Sequence, residues 1–293
     1  MVMKARKIEL FDIINYIILI IACLIFLLPI VMVVSQSLMR SDDIVKYGYT
    51  LFPKTVTFDA YKYLLFKNHS MLRGFLNSVL ITVAGTFLNL LLTSTFAYGL
   101  SKKKMPFRNA LTTMVFITMI FNGGLIPSYL LITGIGLKNS YFALIIPVLI
   151  NTWNMLILRN FFTQIPDSLE ESADIDGAND FVIFTRIILP LSKAAIATIG
   201  LFYAVEHWNS WFSASIYMTN QSKWPMQLLL REMLTALNTI NEGGASFDDM
   251  AGVLPKESVK SAAIVITLVP IMAVYPFLQK YFVKGVMVGS VKG

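Results

Sequence analysis

The sequence predicts an all-α polytopic membrane protein with six transmembrane helices. Of its 293 residues, 56% are hydrophobic and only 14% are charged, and the mean hydropathy is +0.67. Soluble globular domains carry about 25% charged residues, so this deficit argues against that class. The charged residues are separated by uncharged gaps, and most of these gaps can hold the roughly 20 apolar residues that a spanning helix needs.

The uncharged gaps place the spans in order along a single transmembrane domain that covers the whole chain. The first apolar run, Ile13–Val34, is longer than the core of about 7–15 residues in a signal peptide, so we expect it to be retained as a span. In the third gap, Phe121–Gly124 followed by Pro127 predicts a break in the helix. The six predicted spans are about 12–37, 74–101, 109–132, 138–159, 194–218 and 260–281.

The charge pattern bears on topology. An even number of spans puts both termini on one side, and placing them in the cytoplasm puts the cluster Lys102–Lys104 in a short inner loop, as the positive-inside rule expects. The basic segment Tyr47–Arg73 would then lie outside, so this rule alone orients the chain weakly. A net charge of +7 in short clusters indicates topology and lipid contact, not nucleic-acid binding. The predicted extracytoplasmic loops are about 40–72 and 221–258, and the predicted cytoplasmic loop is about 162–192.

A polar, acidic stretch, Ser168–Pro190, interrupts this apolar pattern. Ser168 and Glu171 have the S-x-x-E spacing of a capping box, in which each side chain bonds a free backbone N–H at the start of a helix. The acidic residues also suit the positive end of a helix dipole. A short helix is therefore predicted to begin near Leu169 and to end at Gly177, because glycine tolerates the left-handed conformation of a helix C-cap.

The same stretch is predicted to continue as a second helical segment, Asn179–Ile188. The alternative is an amphipathic helix on the membrane surface, but such helices prefer Lys and Arg on their polar face. The acidic composition therefore favours docking to a protein partner. Small side chains on one face would let that partner approach the backbone, and they belong to Ser172, Ala173, Gly177 and Ala178.

The spacing within this stretch resembles the EAA loop of ABC-importer permeases. The residues that carry the resemblance are E-S-A at 171–173, Gly177, and I-x-L-P at 187–190, with Ser172 in place of the usual alanine. The resemblance implies a type I importer permease fold in which this loop is a coupling helix seated in a groove of a cytoplasmic ATPase. The implied coupling residues are Glu170, Glu171, Ser172, Ala173, Asp174, Gly177, Ile187, Leu189 and Pro190.

Three of these residues have expected roles in coupling. We expect the Glu171 carboxylate to cap and orient the helix, Ala173 to permit close contact with the ATPase, and Gly177 to form the turn. The implied mechanism is alternating access, in which closure of two ATPase subunits turns a pair of permeases from inward-facing to outward-facing.

Other segments resemble carbohydrate permeases of the MalG type, in particular the LplC/YtcP branch. Ala97–Arg108 is similar to the exit of the second span in that group. Three further segments are similar to segments of the branch, and they are Phe121–Pro127, His207–Phe212 and Trp224–Leu228. The resemblance implies a bacterial inner-membrane complex with a second permease in a heterodimer, two ATPase subunits that hold ATP and Mg, and an extracytoplasmic solute-binding protein. It also implies a C-terminal contact with the ATPase through Lys284, Gly285, Gly289 and Lys292.

The fifth predicted span carries a cluster suited to a sugar. Ionisable groups at membrane depth usually face a water-filled path or the bundle interior. Aromatic faces can cover the C–H face of a sugar while amides and carboxylates bond its hydroxyls. An interfacial aromatic belt is the alternative, and in maltose-type importers most substrate contacts lie on the partner permease. The candidate pathway residues are Glu206, His207, Trp208, Asn209 and Trp211, with Asn151 and Asn154 on the fourth span.

The sequence lacks the motifs of several catalytic classes. It has no G-x-x-x-x-G-K-[ST] loop, no H-E-x-x-H and no G-x-S-x-G, so ATP hydrolysis is expected on another chain and this chain is not expected to be an enzyme. Cys23 is its only cysteine, and Asp248-Asp249 lacks the spacing of an EF-hand, so no metal or cofactor is assigned to it.

Several functions stay open at this point. An ABC permease for another solute would use the same scaffold, and a stand-alone transporter would need ionisable residues on several spans. The resemblance points to larger oligosaccharides or polysaccharides, including acidic ones such as alginate, but the residues do not identify the sugar.

Overall fold

The computed structural model describes residues 10–48, 50–67, 69–241 and 256–290. Within these residues the regular secondary structure is helical. One isolated antiparallel bridge joins Met39 and Val56. The helices are α1 (Leu10–Ser37), α2 (Ser41–Tyr47), α3 (Asp59–Lys62), α4 (His69–Ser101), α5 (Arg108–Ile120), α6 (Leu125–Gly134), α7 (Phe142–Ile145), α8 (Thr152–Thr163), α9 (Asp167–Ile175), α10 (Asp180–Ile183), α11 (Leu189–Leu191), α12 (Lys193–Trp208), α13 (Phe212–Tyr217), α14 (Met226–Asn241) and α15 (Lys256–Ser290).

Three of the helices are long and apolar enough to cross a membrane without a break: α1, α4 and the Glu257–Val274 part of α15. Three further spans arise only if each of three bent pairs counts as one, so the total of six stays a prediction. The bends are 114° between α5 and α6, 51° between the α7 segment (Phe142–Val148) and α8, and 83° between the α10–α11 segment (Asp180–Leu191) and α12. Each of predicted spans three to five thus contains a bend, of which the sequence predicted the one in span three.

The break between α5 and α6 has a local cause. Gly124 adopts φ +92°, a conformation that side chains disfavour, and its N–H donates to Asn122 Oδ1 at 2.9 Å. Pro127 then lies in the first turn of α6, where its missing N–H removes no helical hydrogen bond. This confirms the break predicted from Phe121–Gly124.

The break between α7 and α8 is stabilised by polar side chains from α4 and α12. Asn89 Nδ2 donates to the carbonyls of Val148 and Leu149 at 2.5 and 3.2 Å, and the Asn151 N–H donates to Tyr203 Oη at 3.0 Å. Backbone groups released by a broken helix must find partners where no water is available. Asn89 and Tyr203 supply those partners, which is why polar residues are buried here.

The chain divides into two compact units, one from residues 1–69 and 233–268 and the other from residues 70–232 and 269–293. In the first unit, α1 is apolar on every side from Ile17 to Val34, and the side chains that this helix buries are Ser35 and Ser37 at its end. A helix that is apolar all round belongs in lipid or against other protein. Ser258 Oγ of α15 donates a hydrogen bond to the Met39 carbonyl, just beyond the end of α1. Ser261 Oγ donates one to Gln36 Oε1, within the last turn of α1.

The second unit holds two separate apolar cores. The first, which we name the Tyr98 core, is formed by α4, α8, α12 and the segment from α10 to α11, and the second, the Tyr217 core, is formed by α4, α6, α7, α13 and α14. Members of the Tyr98 core include Tyr98, Leu100, Leu158, Phe162, Phe184 and Ile188, and members of the Tyr217 core include Ile81, Ile132, Leu144, Ala214, Tyr217 and Leu228.

Candidate functional site

The predicted coupling helix is α9, and its start differs from the prediction. Pro166 occupies the N-cap position with φ −59° and ψ 130°, and no side chain caps the helix. Ser168 therefore lies inside the first turn, and its carbonyl accepts from Ser172 Oγ at 2.8 Å. The predicted capping box between Ser168 and Glu171 is wrong, because proline already fixes the chain entering the helix. Glu171 is exposed and does not cap α9.

The end of α9 agrees with the prediction. Gly177 adopts φ +83°, its N–H donates to the Asp174 carbonyl at 3.0 Å, and the Ala178 N–H donates to the Ala173 carbonyl at 2.9 Å. These two bonds form a Schellman motif, which fills the free carbonyls at a helix end and requires a left-handed residue. Asn179 then caps α10 by accepting from the Val182 N–H at 2.9 Å.

The two faces of α9 and its turn have different environments. Ala173 and Ala178 are partly buried and pack against the Tyr98 core, so their small size serves contacts within this chain. Ser172 and Gly177 of the predicted small face are exposed. The exposed surface, which we name the α9 surface and which extends to Phe181 of α10, combines carboxylates with large apolar side chains that the sequence did not predict for this site. It comprises Glu171, Ser172, Asp174, Ile175 (86% exposed), Asp176 and Phe181 (73% exposed).

The rest of the predicted coupling motif anchors this surface. Ile187 and Leu189 are partly buried and pack against the Tyr98 core, whereas Pro190 is exposed in α11. Residues 184–188 form a π-helical turn between α10 and α11. The motif thus has two parts in this structure, an exposed helix and a partly buried segment that fixes this helix to the bundle.

Two lysines at the end of α4 contact α9. Lys102 Nζ forms an ion pair with Glu170, and Lys103 Nζ forms one with Asp167 Oδ2 at 2.9 Å. Burial alone would lower the pKa of Lys102, but its hydrogen bond to Glu170 holds that pKa above the usual value. The hydrogen bond from Lys103 lowers the pKa of the exposed Asp167 carboxyl. Lys102 was not among the residues predicted to act in coupling.

A second candidate site is an open pocket of about 180 Å³, which we name the Trp211 pocket. It lies where α12 ends and the loop to α13 begins, beside the α7 segment. Four of the predicted pathway residues line it, and they are Glu206, His207, Asn209 and Trp211. The other lining residues are Leu144, Val148, Ser210, Phe212 and Ser213. A carboxylate, an amide, hydroxyls and an indole ring around one opening can bond and stack on a polyhydroxylated ligand.

The structure places three predicted pathway residues away from this pocket. Trp208 packs edge-on against Phe75 with ring centroids 6.0 Å apart, because a helix turns about 100° per residue and carries it away from Glu206. Asn151 caps α8 through a bond from the Asn154 N–H at 3.2 Å, and Asn154 is buried. For these three side chains the pathway interpretation is not supported.

His207 is shared between the pocket and the bundle. Its Nε2 lies 2.8 Å from Asn89 Oδ1, and its ring packs directly on Gly85, where a Cβ would lie 2.4 Å from Nε2. With only 3% of its surface exposed, His207 is mainly a satisfied packing residue at the edge of the pocket. Its position is set by α4.

Arg231 of α14 adds a cation to this region and was not among the predicted pathway residues. Its guanidinium carbon lies 3.7 Å from the centroid of the Trp211 ring, in the geometry of a cation–π contact. Part of the predicted outer loop, 221–258, is therefore helical, since α14 covers Met226–Asn241. The residues Glu242 to Asp249 of that loop lie outside the described residues.

The predicted C-terminal ATPase contact can be followed only in part. Lys284, Gly285 and Gly289 lie in the last turns of α15, which continues to Ser290, and Lys292 lies outside the described residues. This contact stays a prediction.

Comparison with known proteins adds independent findings. Residues 1–288 match the family described as binding-protein-dependent transport system inner membrane component. The polygalacturonan/rhamnogalacturonan transport system permease protein YtcP of Bacillus subtilis is 44% identical over 98% of this chain and 100% of its own length. Protein LplC of the same organism is 44% identical over 91% of this chain and 90% of its own length. A solved chain from a bacterial ABC transporter involved in the import of the acidic polysaccharide alginate superposes with a TM-score of 0.86, at 32% identity, over 96% of this chain and 100% of that chain.

Proposed function

The chain belongs to the family of binding-protein-dependent transport system inner membrane components, and on that basis we propose that it forms half of the translocation pathway of an ABC importer for oligo- or polysaccharide. It is a multi-pass membrane permease component and is not itself catalytic. Membership of this family implies that it works with another permease, an ATPase and a binding protein.

The observation that carries the proposal is the α9 surface. The helix α9 carries exposed carboxylates and the exposed Ile175, and Phe181 is exposed on α10, just beyond the Schellman turn that fixes the direction of α9. Exposed apolar side chains rimmed by charge are typical of protein interaction sites. In the proposed complex an ATPase subunit docks on this surface, and its movement passes through α9 into α4, α8 and α12.

The finer organisation of the complex is also part of the proposal. The chain pairs with a different permease, and two ATPase subunits bind ATP and Mg on the cytoplasmic side. Both termini lie in the cytoplasm, so that α9 faces the ATPases and α14 faces the binding protein on the outside. This orientation is supported by the Lys102–Lys104 cluster, which lies on the α9 side of the chain.

The proposed cargo is supported by the relatives and by the Trp211 pocket. The relative at 44% identity is named for a polygalacturonan/rhamnogalacturonan transport system, and the solved chain at 32% identity belongs to a transporter involved in the import of the acidic polysaccharide alginate. The pocket supplies a carboxylate, an amide and an indole for sugar hydroxyls and C–H faces. A direct test is ATP-dependent uptake by the reconstituted complex with a panel of neutral oligosaccharides, uronate oligosaccharides and non-sugar solutes. Uptake of a saccharide supports the proposal, whereas ATP-dependent uptake of a non-sugar solute alone would reject it.

Replacing Trp211 with alanine is expected to weaken uptake of that saccharide. The substitution removes the indole from the pocket, and loss of an aromatic stacking contact costs about 0.5–1.5 kcal/mol, or roughly a 2- to 12-fold rise in the half-saturating concentration. Trp153→Ala is the matched control, because Trp153 is 60% exposed and does not line the pocket. Initial uptake rates measured over a range of saccharide concentrations check this prediction, and equal values for the two variants would remove the pocket from the pathway.

A further inference from the structure

The end of α4 is the point where α9 joins the spans in the second unit. The Leu100 carbonyl accepts hydrogen bonds from Arg108 Nε at 2.9 Å and from Arg159 Nε at 3.1 Å. These bonds tie the last turn of α4 to the start of α5 and to α8. Arginine at a helix C-terminus satisfies a free carbonyl and opposes the negative end of the helix dipole. The α4 terminus is thereby held on two sides by cations of this chain.

Lys102 extends this junction to α9. Its ammonium contacts the Glu170 carboxylate and lies 4.4 Å from the centroid of the Tyr98 ring. The Tyr98 ring in turn packs on Phe184 at 4.9 Å and on Phe162 at 6.4 Å between centroids. The Lys102 ammonium thus connects α9 to the Tyr98 ring. Through Phe162 and Phe184, that ring contacts α8 and the π-helical turn after α10.

The neighbouring ion pair is different in character. Lys103 and Asp167 are 80% and 70% exposed, whereas Lys102 and Glu170 are 25% and 22% exposed. Exposed ion pairs contribute little to stability because water screens them and both side chains must be ordered. A partly buried pair that also rests on an aromatic face holds its geometry more firmly. The chain therefore carries a firm link and a weak one side by side on the same helix.

We propose that Lys102 is the positioning residue through which movement of α9 reaches the α4 terminus, with Glu170 and Tyr98 as its two contacts. The inference rests on the proposed function, because it assumes that an ATPase moves α9. Without Lys102, α9 still docks on the ATPase through its exposed surface, but its displacement is no longer transmitted fully to α4. The expected consequence is ATP hydrolysis with reduced transport.

The first experiment needs no cargo. Hydrogen exchange is measured over residues 167–175 in the purified full chain, for the unsubstituted protein, Lys102→Met and the control Lys103→Met. Loss of the Lys102–Glu170 pair in Lys102→Met is expected to raise the hydrogen-exchange rate of α9 about fivefold. Loss of the Lys103–Asp167 pair in Lys103→Met is expected to leave this rate nearly unchanged. Equal exchange in the two variants would overturn the proposal.

The second experiment uses the reconstituted complex and measures saccharide taken up per ATP hydrolysed. Lys102→Met and Glu170→Gln are each expected to lower this ratio about tenfold, within the usual range of coupling between sites. The double variant is expected to be no worse than either single variant, because both remove the same link. Lys102→Arg, which keeps the charge and the cation–π contact, is expected to retain most of the ratio, as is Lys103→Met.

Three outcomes of the second experiment would overturn the inference. They are an unchanged ratio in Lys102→Met, a double variant whose loss equals the product of the two single losses, and loss of the ATPase from the purified Lys102→Met complex. Failure of the proposed function looks different, because the unsubstituted complex would then show no ATP-dependent saccharide uptake at all. In that case the hydrogen-exchange comparison still decides whether Lys102 holds α9 to α4.

Discussion

Replacing Gly85 with alanine is expected to destabilise the protein by about 2–3 kcal/mol, the upper part of the usual range for overpacking a filled core. The new Cβ would lie 2.4 Å from His207 Nε2 and 2.7 Å from both adjacent ring carbons. The ring cannot simply rotate away, because Nε2 is held 2.8 Å from Asn89 Oδ1. Displacing it would also disturb the Asn89 bonds that satisfy the carbonyls at the α7–α8 break.

Gly74→Ala is the matched control for this prediction. A Cβ at Gly74 would lie 2.3 Å from Leu229 Cδ1, an equally short contact, but the neighbour is the end of a flexible side chain. Leucine can turn a χ angle by about 30° away from its rotamer at a cost of about 0.5–1.5 kcal/mol, whereas the imidazole is fixed by its hydrogen bond. Thermal unfolding of the purified chain in detergent should therefore give a lower midpoint for Gly85→Ala than for Gly74→Ala. Equal midpoints would show that His207 is not held as described.

Replacing Gly177 with valine is expected to reduce coupled transport at least about tenfold, in the usual range for an allosteric coupling energy. Gly177 has φ +83°, and a Cβ there meets no atom within 4 Å, so the effect is one of backbone strain and not of crowding. A left-handed residue other than glycine costs roughly 1–2 kcal/mol, and a β-branched residue is disfavoured further. Relief of this strain would open the Schellman turn and change the direction of α9.

The control for Gly177 is an equivalent glycine elsewhere. Gly136 has φ +78° and likewise has no atom within 4 Å of a built Cβ, but it lies in the turn between α6 and α7. Gly136→Val introduces the same strain without touching α9, so transport should fall far less than in Gly177→Val. Measurements of uptake and ATP hydrolysis in both complexes separate the two effects. Full coupling and unchanged uptake in Gly177→Val would contradict the assignment of α9 as the coupling helix.

The sequence predicted α9 well because its signals are local. Gly177 identified the turn, and Asn179 marked the start of the next helical segment, which the structure confirms as α10. The predicted start of α9 was wrong because the S-x-x-E pattern placed the N-cap at Ser168, whereas Pro166 occupies the N-cap position in the structure. The Lys102–Glu170 pair could not be read from the chain, since its partners are 68 residues apart and meet only through packing.

The spans show the limit of counting uncharged gaps. A gap measures how much apolar chain is available, but it does not record whether the chain continues in one direction. Gly124 and its neighbours predicted the α5–α6 break because their signal is local. The α7–α8 break depends on hydrogen bonds to Asn89 and Tyr203 of other helices, which a local pattern does not record. Proximity in the sequence was likewise a partial guide to the Trp211 pocket. Four of the predicted pathway residues line the pocket, but Trp208, which lies between them in the sequence, packs against Phe75.

Docking of an ATPase subunit on the α9 surface can be measured by cross-linking. Cysteine is placed at the exposed Ser172 in a Cys23→Ser background, and the complex with its ATPase is treated with a thiol cross-linker after cysteines are introduced into the ATPase groove. Thr219→Cys, an exposed position between α13 and α14, serves as the control. We expect a cross-linked permease–ATPase band for Ser172→Cys that changes with ATP, and none for Thr219→Cys. Failure of Ser172→Cys to form any such link, or equal linking at Thr219, would show that the ATPase does not dock on this surface.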